Sequence, residues 1–214
     1  MRINMSEWVK YFEDKERNIF NRCISCRRLL ELIIGCTPPK GRILEVGCGT
    51  GILSLILSDY GFDVTASDVS PSVLSYAAEK IKVLLPNLKF KEADMFNLSK
   101  LFADKYFDTV FSKGLMEHFS DEEIIKGLAE QRKVSHRAIV YVPNSRSKRS
   151  FGDERLLSNR RWISLLRDSG FKEVRLFGDY DLQKYTYFFP VLIYHRRFSF
   201  VWRYISNHSI FLCQ

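Results

Sequence analysis

The 214-residue chain has no long apolar run. A bilayer-crossing helix needs about 20 consecutive apolar residues. The longest candidate, residues 187–194, is short, contains Pro190 and runs into His195-Arg196-Arg197. No transmembrane segment is expected. The first 18 residues are charged throughout and carry no signal-peptide apolar core, so the expected location is cytoplasmic. Cysteine is sparse: five residues, at 23, 26, 36, 48 and 213, an odd set that reads as free thiols. Cys23-x-x-Cys26 has no second Cys or His pair at metal-site spacing, and it lies in a helical pattern instead of a strand-to-helix turn. Neither a zinc site nor a redox dithiol is expected there. Internal repeats and low-complexity segments are also missing.

What is present is one substantial domain's worth of ordinary globular composition, 46% hydrophobic and 27% charged. The net charge of +8 is uneven. Residues 1–40 carry a net +3, residues 41–142 a net −2, and residues 143–214 a net +7. The positive excess is peripheral, concentrated in "NSRSKRS" and beyond. Such a flank suits nucleic acid, anionic lipid or an anionic small molecule, and it also suits a plain solvated surface.

Residues 6–34 read as one or two amphipathic helices, and "TPPKG" at 37–41 ends them. Strands and helices then alternate. "RILEVG" is a strand and "ILSLILSDYG" a helix. "FDVTASD" is a strand, followed by the Ser70-Pro71 helix start. The next helix puts Leu74, Ala77, Ala78, Ile81 and Leu85 on one face and stops at Pro86-Asn87. "LKFKEAD", "YFDTVFS", "RAIVYVP" and "FKEVRLFG" are the third to sixth strands. A Ser120–Glu123 capping box opens one helix, and residues 159–169 form another, closed by Gly170. "YTYFFPVLIY" is a candidate seventh strand. This alternation predicts an α/β fold: a Rossmann-like, doubly wound, mostly parallel seven-stranded sheet with helices on both faces. The expected organisation is a helical cap over 1–38, a ligand-binding domain over 39–195 and an aromatic, basic extension over 196–214.

In such sheets ligands sit at the carboxyl ends of the strands. The first strand ends in Gly47, Gly49 and Gly51. A phosphate-binding P-loop needs Lys-Ser/Thr after its glycines, and Ile52-Leu53 stand there instead. The dinucleotide fingerprint would need a glycine at 52, which is isoleucine. Glu45 lies within an apolar strand, where an unpaired carboxylate is costly, so it must face a donor. Asp68 ends the second strand about 20 residues past the glycines, where a carboxylate can accept from ribose hydroxyls. Asp94 ends the third, placed for an exocyclic amine. Asp68 and Asp94 could equally cap the turns that follow them. Three carboxylates at successive strand ends suit a ligand with an amine, a ribose and a base, and suit a pyrophosphate poorly.

Over residues 40–180 the sequence resembles the class I S-adenosylmethionine-dependent methyltransferases. "LEVGCGTG" is similar to their first motif, "TASDVSPSVLSYA" to the ribose segment, "FKEADMFNL" to the adenine segment and "FDTVFSKGLMEHF" to the fourth-strand motif. The resemblance implies an enzyme that binds S-adenosylmethionine and releases S-adenosylhomocysteine, with no metal expected. It places Gly47, Cys48, Gly49 and Gly51 along the methionine part of the cofactor, and Glu45 at its amino end. It gives Asp68 the ribose hydroxyls, Val69 the adenine face, Asp94 the adenine amine and Met95 an apolar wall. Ser112, Lys113 and Gly114 fall beside the methionine and the reacting methyl.

Methyl transfer from a sulfonium is an in-line displacement in which the enzyme mainly aligns the nucleophile. A base is needed only where the nucleophile carries a proton, and His118 in "LMEHF" is the candidate. The Asn/Asp-Pro-Pro-Tyr/Phe signature of base and amide methylation is missing, as are the Pro-Cys nucleophile and the paired-glutamate loop of arginine methylation. That leaves the branch acting mostly on small molecules, transferring methyl to O, N or C of a small or lipid-like acceptor. Tyr11 and Phe12 are candidates to close over the cofactor; Arg146, Lys148, Arg149 and Arg155 are candidates to hold an anionic acceptor. An RNA or protein methyltransferase using the basic flanks and a nonenzymatic S-adenosylmethionine-binding protein are the alternatives. A monomer or homodimer is expected, with nucleic acid not favoured as a partner.

Overall fold

The structure, a computed structural model, describes residues 19–82, 84–85, 88–148, 152–179 and 206–214. Tyr11, Phe12, Arg149, the Pro86-Asn87 stop and the candidate strand in 185–194 lie outside these residues. Helices α1 (Ile19–Ser25) and α2 (Arg27–Cys36) precede the sheet. The alternating part follows: β1 (Arg42–Val46), α3 (Ile52–Asp59), β2 (Asp63–Asp68), α4 (Pro71–Lys82), β3 (Lys89–Glu92) and the short α5 (Leu98–Leu101). Then come β4 (Thr109–Lys113), a 3₁₀ turn (Met116–His118), α6 (Asp121–Val134), β5 (Ala138–Pro143), α7 (Asn159–Asp168), β6 (Val174–Asp179) and β7 (His208–Cys213).

The seven strands form one sheet in the order β3-β2-β1-β4-β5-β7-β6. β1 pairs in parallel with both β2 and β4, β2 with β3, and β4 with β5. β7 is antiparallel to both β5 and β6 and lies between them. Among the described residues the seventh strand is "HSIFLC" of the aromatic tail.

Successive side chains of a strand point to opposite faces, and here the two faces carry separate cores. Leu44, Val46, Val110 and Val140 pack with Ile124 and Leu128 of α6 and Trp162 and Leu165 of α7. Their sequence neighbours Ile43, Phe111 and Ile139 pack on the other face with Leu29 and Ile33 of α2 and Leu53 and Leu57 of α3. The continuous apolar run of β5 is thus what a strand buried on both faces requires. Helix α2 belongs to the layer covering the sheet, because Leu29 and Ile33 are fully buried. At the edge, β3 carries Lys89, Lys91 and Glu92 and is largely exposed, which discourages pairing with another chain. The capping box of α6 forms: Ser120 Oγ accepts from Glu123 N, and Ser120 N donates to Glu123 Oε2 at 3.0 Å. No helix among the described residues is long and apolar enough to cross a membrane.

Candidate functional site

Beyond Val46 the chain turns sharply, with Gly47, Gly49 and Gly51 at φ of +71°, +53° and +69°. Cys48 N donates to Ser67 O at 2.8 Å and Cys48 O accepts from Gly51 N at 2.9 Å, so the turn is tied to β2. A Cβ at Gly47 would stand 3.0 Å from the Leu115 side chain, and one at Gly51 would stand 2.8 Å from Ile81 Cδ1. Only Gly47 and Gly49 line the neighbouring cavity of about 350 Å³. Gly51 faces the packing between α3 and α4.

Asp68 and Asp94 line the same cavity. Asp68 Oδ2 accepts from Gly49 N at 3.2 Å and Oδ1 from Ser70 N at 3.0 Å. Burial pushes the Asp68 carboxyl above its usual range, opposed by the N–H bonds from Ser70, Gly49 and Val69. Asp94 Oδ1 accepts from Phe96 N and Oδ2 from Asn97 Nδ2, both at 2.9 Å. Both aspartates therefore cap turns while facing the cavity. The two roles are compatible, since each carboxylate oxygen accepts more than one hydrogen bond. Val69, Met95, Phe96, Leu115 and Phe119 give the wall its apolar character. Phe96 and Phe119 meet edge to face with ring centres 5.5 Å apart.

Five expected cofactor residues lie behind this wall instead of in it: Glu45, Cys48, Gly51, Ser112 and Lys113. Glu45 Oε2 accepts from Ser54 N at 3.1 Å and Ser54 Oγ at 2.5 Å, which ties β1 to the first turn of α3. Burial pushes the Glu45 carboxyl up to about 7, against the Ser54 bonds and the Lys113 charge. Lys113 Nζ stands 5.1 Å from the Tyr141 ring centre, and the Tyr141 hydroxyl donates to Asp179 at 2.5 Å. Ser112 Oγ is buried without a hydrogen-bond partner. Cys48 packs with Ala66 and Leu74.

At the far end of the cavity, Gly114, His118 and Asp153 complete the lining. His118 Nδ1 is 3.2 Å from Asp153 Oδ1. Arg155 brings these segments together. Its N–H donates to Glu117 O at 2.8 Å, Nη1 to Phe119 O at 2.6 Å and Nη2 to Asp121 Oδ1 at 2.7 Å. The Arg155 guanidinium, expected to face an acceptor, is thus committed to clamping residues 152–155 against the 3₁₀ turn. Glu117 is 2% exposed, and its Oε2 has no hydrogen-bond partner. Burial pushes this carboxyl up to about 8; its own backbone N–H and Lys113 oppose the shift, and Glu154 adds to it. One potential ligand atom each from Glu117, His118 and Glu154 lie within 4.8 Å of one another. Arg146 sits in an exposed turn, with its N–H on Asn144 Oδ1 at 2.9 Å, and does not line the cavity.

A second recess of about 440 Å³ is lined by Arg42, Asp63 and Lys89, the first residues of β1, β2 and β3. It opens at the amino ends of parallel strands, the end opposite to where such sheets hold ligands. The cavity bounded by the carboxyl ends of β1 to β4 is the functional candidate. Sequence reasoning missed Ser70, Val73, Phe96, Leu115, Phe119 and Asp153 in its wall. Most of these lie one to three positions from a motif residue, which is a usable signal. Asp153 carries none.

Comparison with known proteins agrees with this geometry. Residues 43–137 match the methyltransferase domain family. The chain is 42% identical over 73 residues to the putative methyltransferase YqeM of Bacillus subtilis, covering 34% of this chain and 28% of that protein. It is 30% identical over 122 residues to the magnesium-protoporphyrin O-methyltransferase of Rhodobacter capsulatus, covering 56% of this chain and 50% of that one. The chain thus spans half or less of these relatives' lengths. In fold it is similar to a SAM-dependent methyltransferase from Aquifex aeolicus, with a TM-score of 0.68 at 18% identity over 99% of this chain and 98% of the other. The match to the methyltransferase domain family thus covers residues 43–137, the part of the chain that carries β1 to β4 and most of the cavity wall.

Proposed function

We propose that this chain transfers a methyl group from S-adenosylmethionine to an O, N or C nucleophile of a small-molecule or lipid-like acceptor. The observation that carries the reading is the joint placement of Gly47, Gly49, Asp68 and Asp94 around one cavity with an apolar wall. These residues fit the cofactor: two carboxylates for ribose hydroxyls and an adenine amine, and a side-chain-free turn for the methionine arm. When bound, the cofactor supplies a methyl on a sulfonium sulfur, already activated for displacement.

The chain's residues do the rest. Asp68 accepts from the ribose hydroxyls, Asp94 from the adenine amine, and Val69 and Met95 hold the base by apolar contact. Glu45 ties β1 to the first turn of α3 behind the glycines. The apolar wall, extended by Leu115 and Phe119, excludes water from the transfer path. His118 stands at the other end of the cavity, placed to activate the acceptor's nucleophile. A small acceptor is favoured by the O-methyltransferase relative. The test is calorimetric titration with S-adenosylmethionine, S-adenosylhomocysteine and NAD. Binding of the two sulfur nucleosides and not of NAD is expected, and failure of both sulfur nucleosides to bind would overturn the reading.

A further inference from the structure

Glu117 raises a problem that the methyl-transfer chemistry leaves open. It is almost fully buried, one of its carboxylate oxygens has no hydrogen-bond partner among the described residues, and a second buried carboxylate, Glu154, lies close by. A buried carboxyl oxygen without a partner is destabilising, and more so when charged. Two carboxylates next to each other repel when both are ionised. A cation shared by the two carboxylates relieves that repulsion, and His118 brings a ring nitrogen to the same point. The three potential ligand atoms lie within 4.8 Å of one another, close enough to share one ion.

We propose that Glu117, His118 and Glu154 form a divalent-cation site at the acceptor end of the cavity. The donor set is two carboxylates and one imidazole, which suits Mn²⁺, Fe²⁺ or Zn²⁺ better than Ca²⁺, a cation that takes oxygen ligands throughout. Two features show that the site is built by the fold. Arg155 anchors the loop carrying Glu154 to the backbone of Glu117 and Phe119, which fixes the two segments relative to each other. Asp153 engages Nδ1 of His118, and a carboxylate on one ring nitrogen is the usual support for a histidine that ligates through the other. Three protein ligands leave coordination positions open. Because His118 lines the cavity, the ligand expected there is an oxygen of the acceptor, a hydroxyl or carboxylate. In this arrangement His118 activates the nucleophile through the cation. The cation assignment deepens the methyl-transfer reading but can fail separately from it.

The test uses the full chain, stripped with chelator and titrated with MnCl₂ by electron paramagnetic resonance and with ZnCl₂ by calorimetry. One ion per chain is expected. Glu154→Gln and Glu117→Gln should each weaken binding at least tenfold, while S-adenosylhomocysteine affinity stays within threefold of wild type. Circular dichroism checks the fold of each variant. Should Glu117→Gln fail to fold, Glu154→Gln decides alone, since Glu154 lies in a loop outside the sheet. Absence of uptake at 1 mM of either ion, or variants that bind ions as the wild type does, would overturn the cation site. Either result would leave the cofactor reading intact.

Discussion

At the scale of single residues, Asp68 and Asp94 each hold two positions at once, in a turn and on a cavity. Asp68→Ala removes an acceptor that the proposed ribose contact needs, and S-adenosylhomocysteine affinity should fall at least tenfold by calorimetry. An unchanged affinity would place the ribose elsewhere. Glu45 makes a different prediction, because its folded-state carboxyl is raised to about 7 from the usual 4.5. A carboxyl raised by folding binds its proton more tightly in the native state. Its stabilising contribution is complete below about pH 4.5 and is lost as pH rises through about 7. Relative to Glu45→Gln, which has no such proton to lose, the wild type should lose stability between pH 5 and 8. The difference is on the order of 3 kcal/mol, read from urea unfolding at several pH values. Parallel pH profiles for the two proteins would show that Glu45 keeps an ordinary carboxyl. These aspartates and Glu45 were legible in the sequence because strand ends and apolar runs mark them. Asp153 and Glu154 were not, because they reach the site only through the Arg155 clamp, a contact between segments some 36 positions apart.

At the scale of elements, the alternate glycines divide their work. Gly47 and Gly49 border the cavity, whereas Gly51 opens helix α3 in a left-handed conformation against Ile81. Gly51→Ala should therefore cost stability, about 1–2 kcal/mol for the left-handed backbone, seen as a lower urea midpoint. Cofactor affinity should change far less than in Gly47→Ala. Equal losses of affinity in both variants would mean that Gly51 contacts the ligand after all. Sequence spacing alone could not separate these roles, since both kinds of glycine serve a tight turn after a strand. The capping box at Ser120 was legible in full because its chemistry is confined to four consecutive residues. β7 was harder to locate, because its antiparallel pairing with β5 and β6 joins segments far apart in the chain.

At the scale of the whole molecule, β7 joins β6 to the parallel part of the sheet. It lies between β5 and β6 and buries Ile210, Phe211 and Cys213 completely. Deleting residues 206–214 would leave two unpaired strand edges and open both cores. The deleted protein should lose its cooperative unfolding transition and leave the soluble fraction. A deletion variant that melts at the wild-type midpoint would refute the structural role of this strand. The cavity is also a whole-molecule property, since its wall is drawn from the ends of β1 to β4 and from the loop after β5.

By itself the sequence determined the alternation of strands and helices and the parallel sheet with two covered faces, and it carried the motifs that resemble the methyltransferases. The alternation and the sheet are encoded in local periodicity and in caps along single segments. Only the tertiary structure decided that the last strand comes from 208–213 and that Glu45 turns toward Ser54. It also decided that Arg155 clamps a loop and that Glu117, His118 and Glu154 converge at one end of the cavity. These outcomes depend on which distant segments come into contact. Such contacts are set by burial and hydrogen-bond satisfaction across the whole fold, and no local pattern in the chain records them.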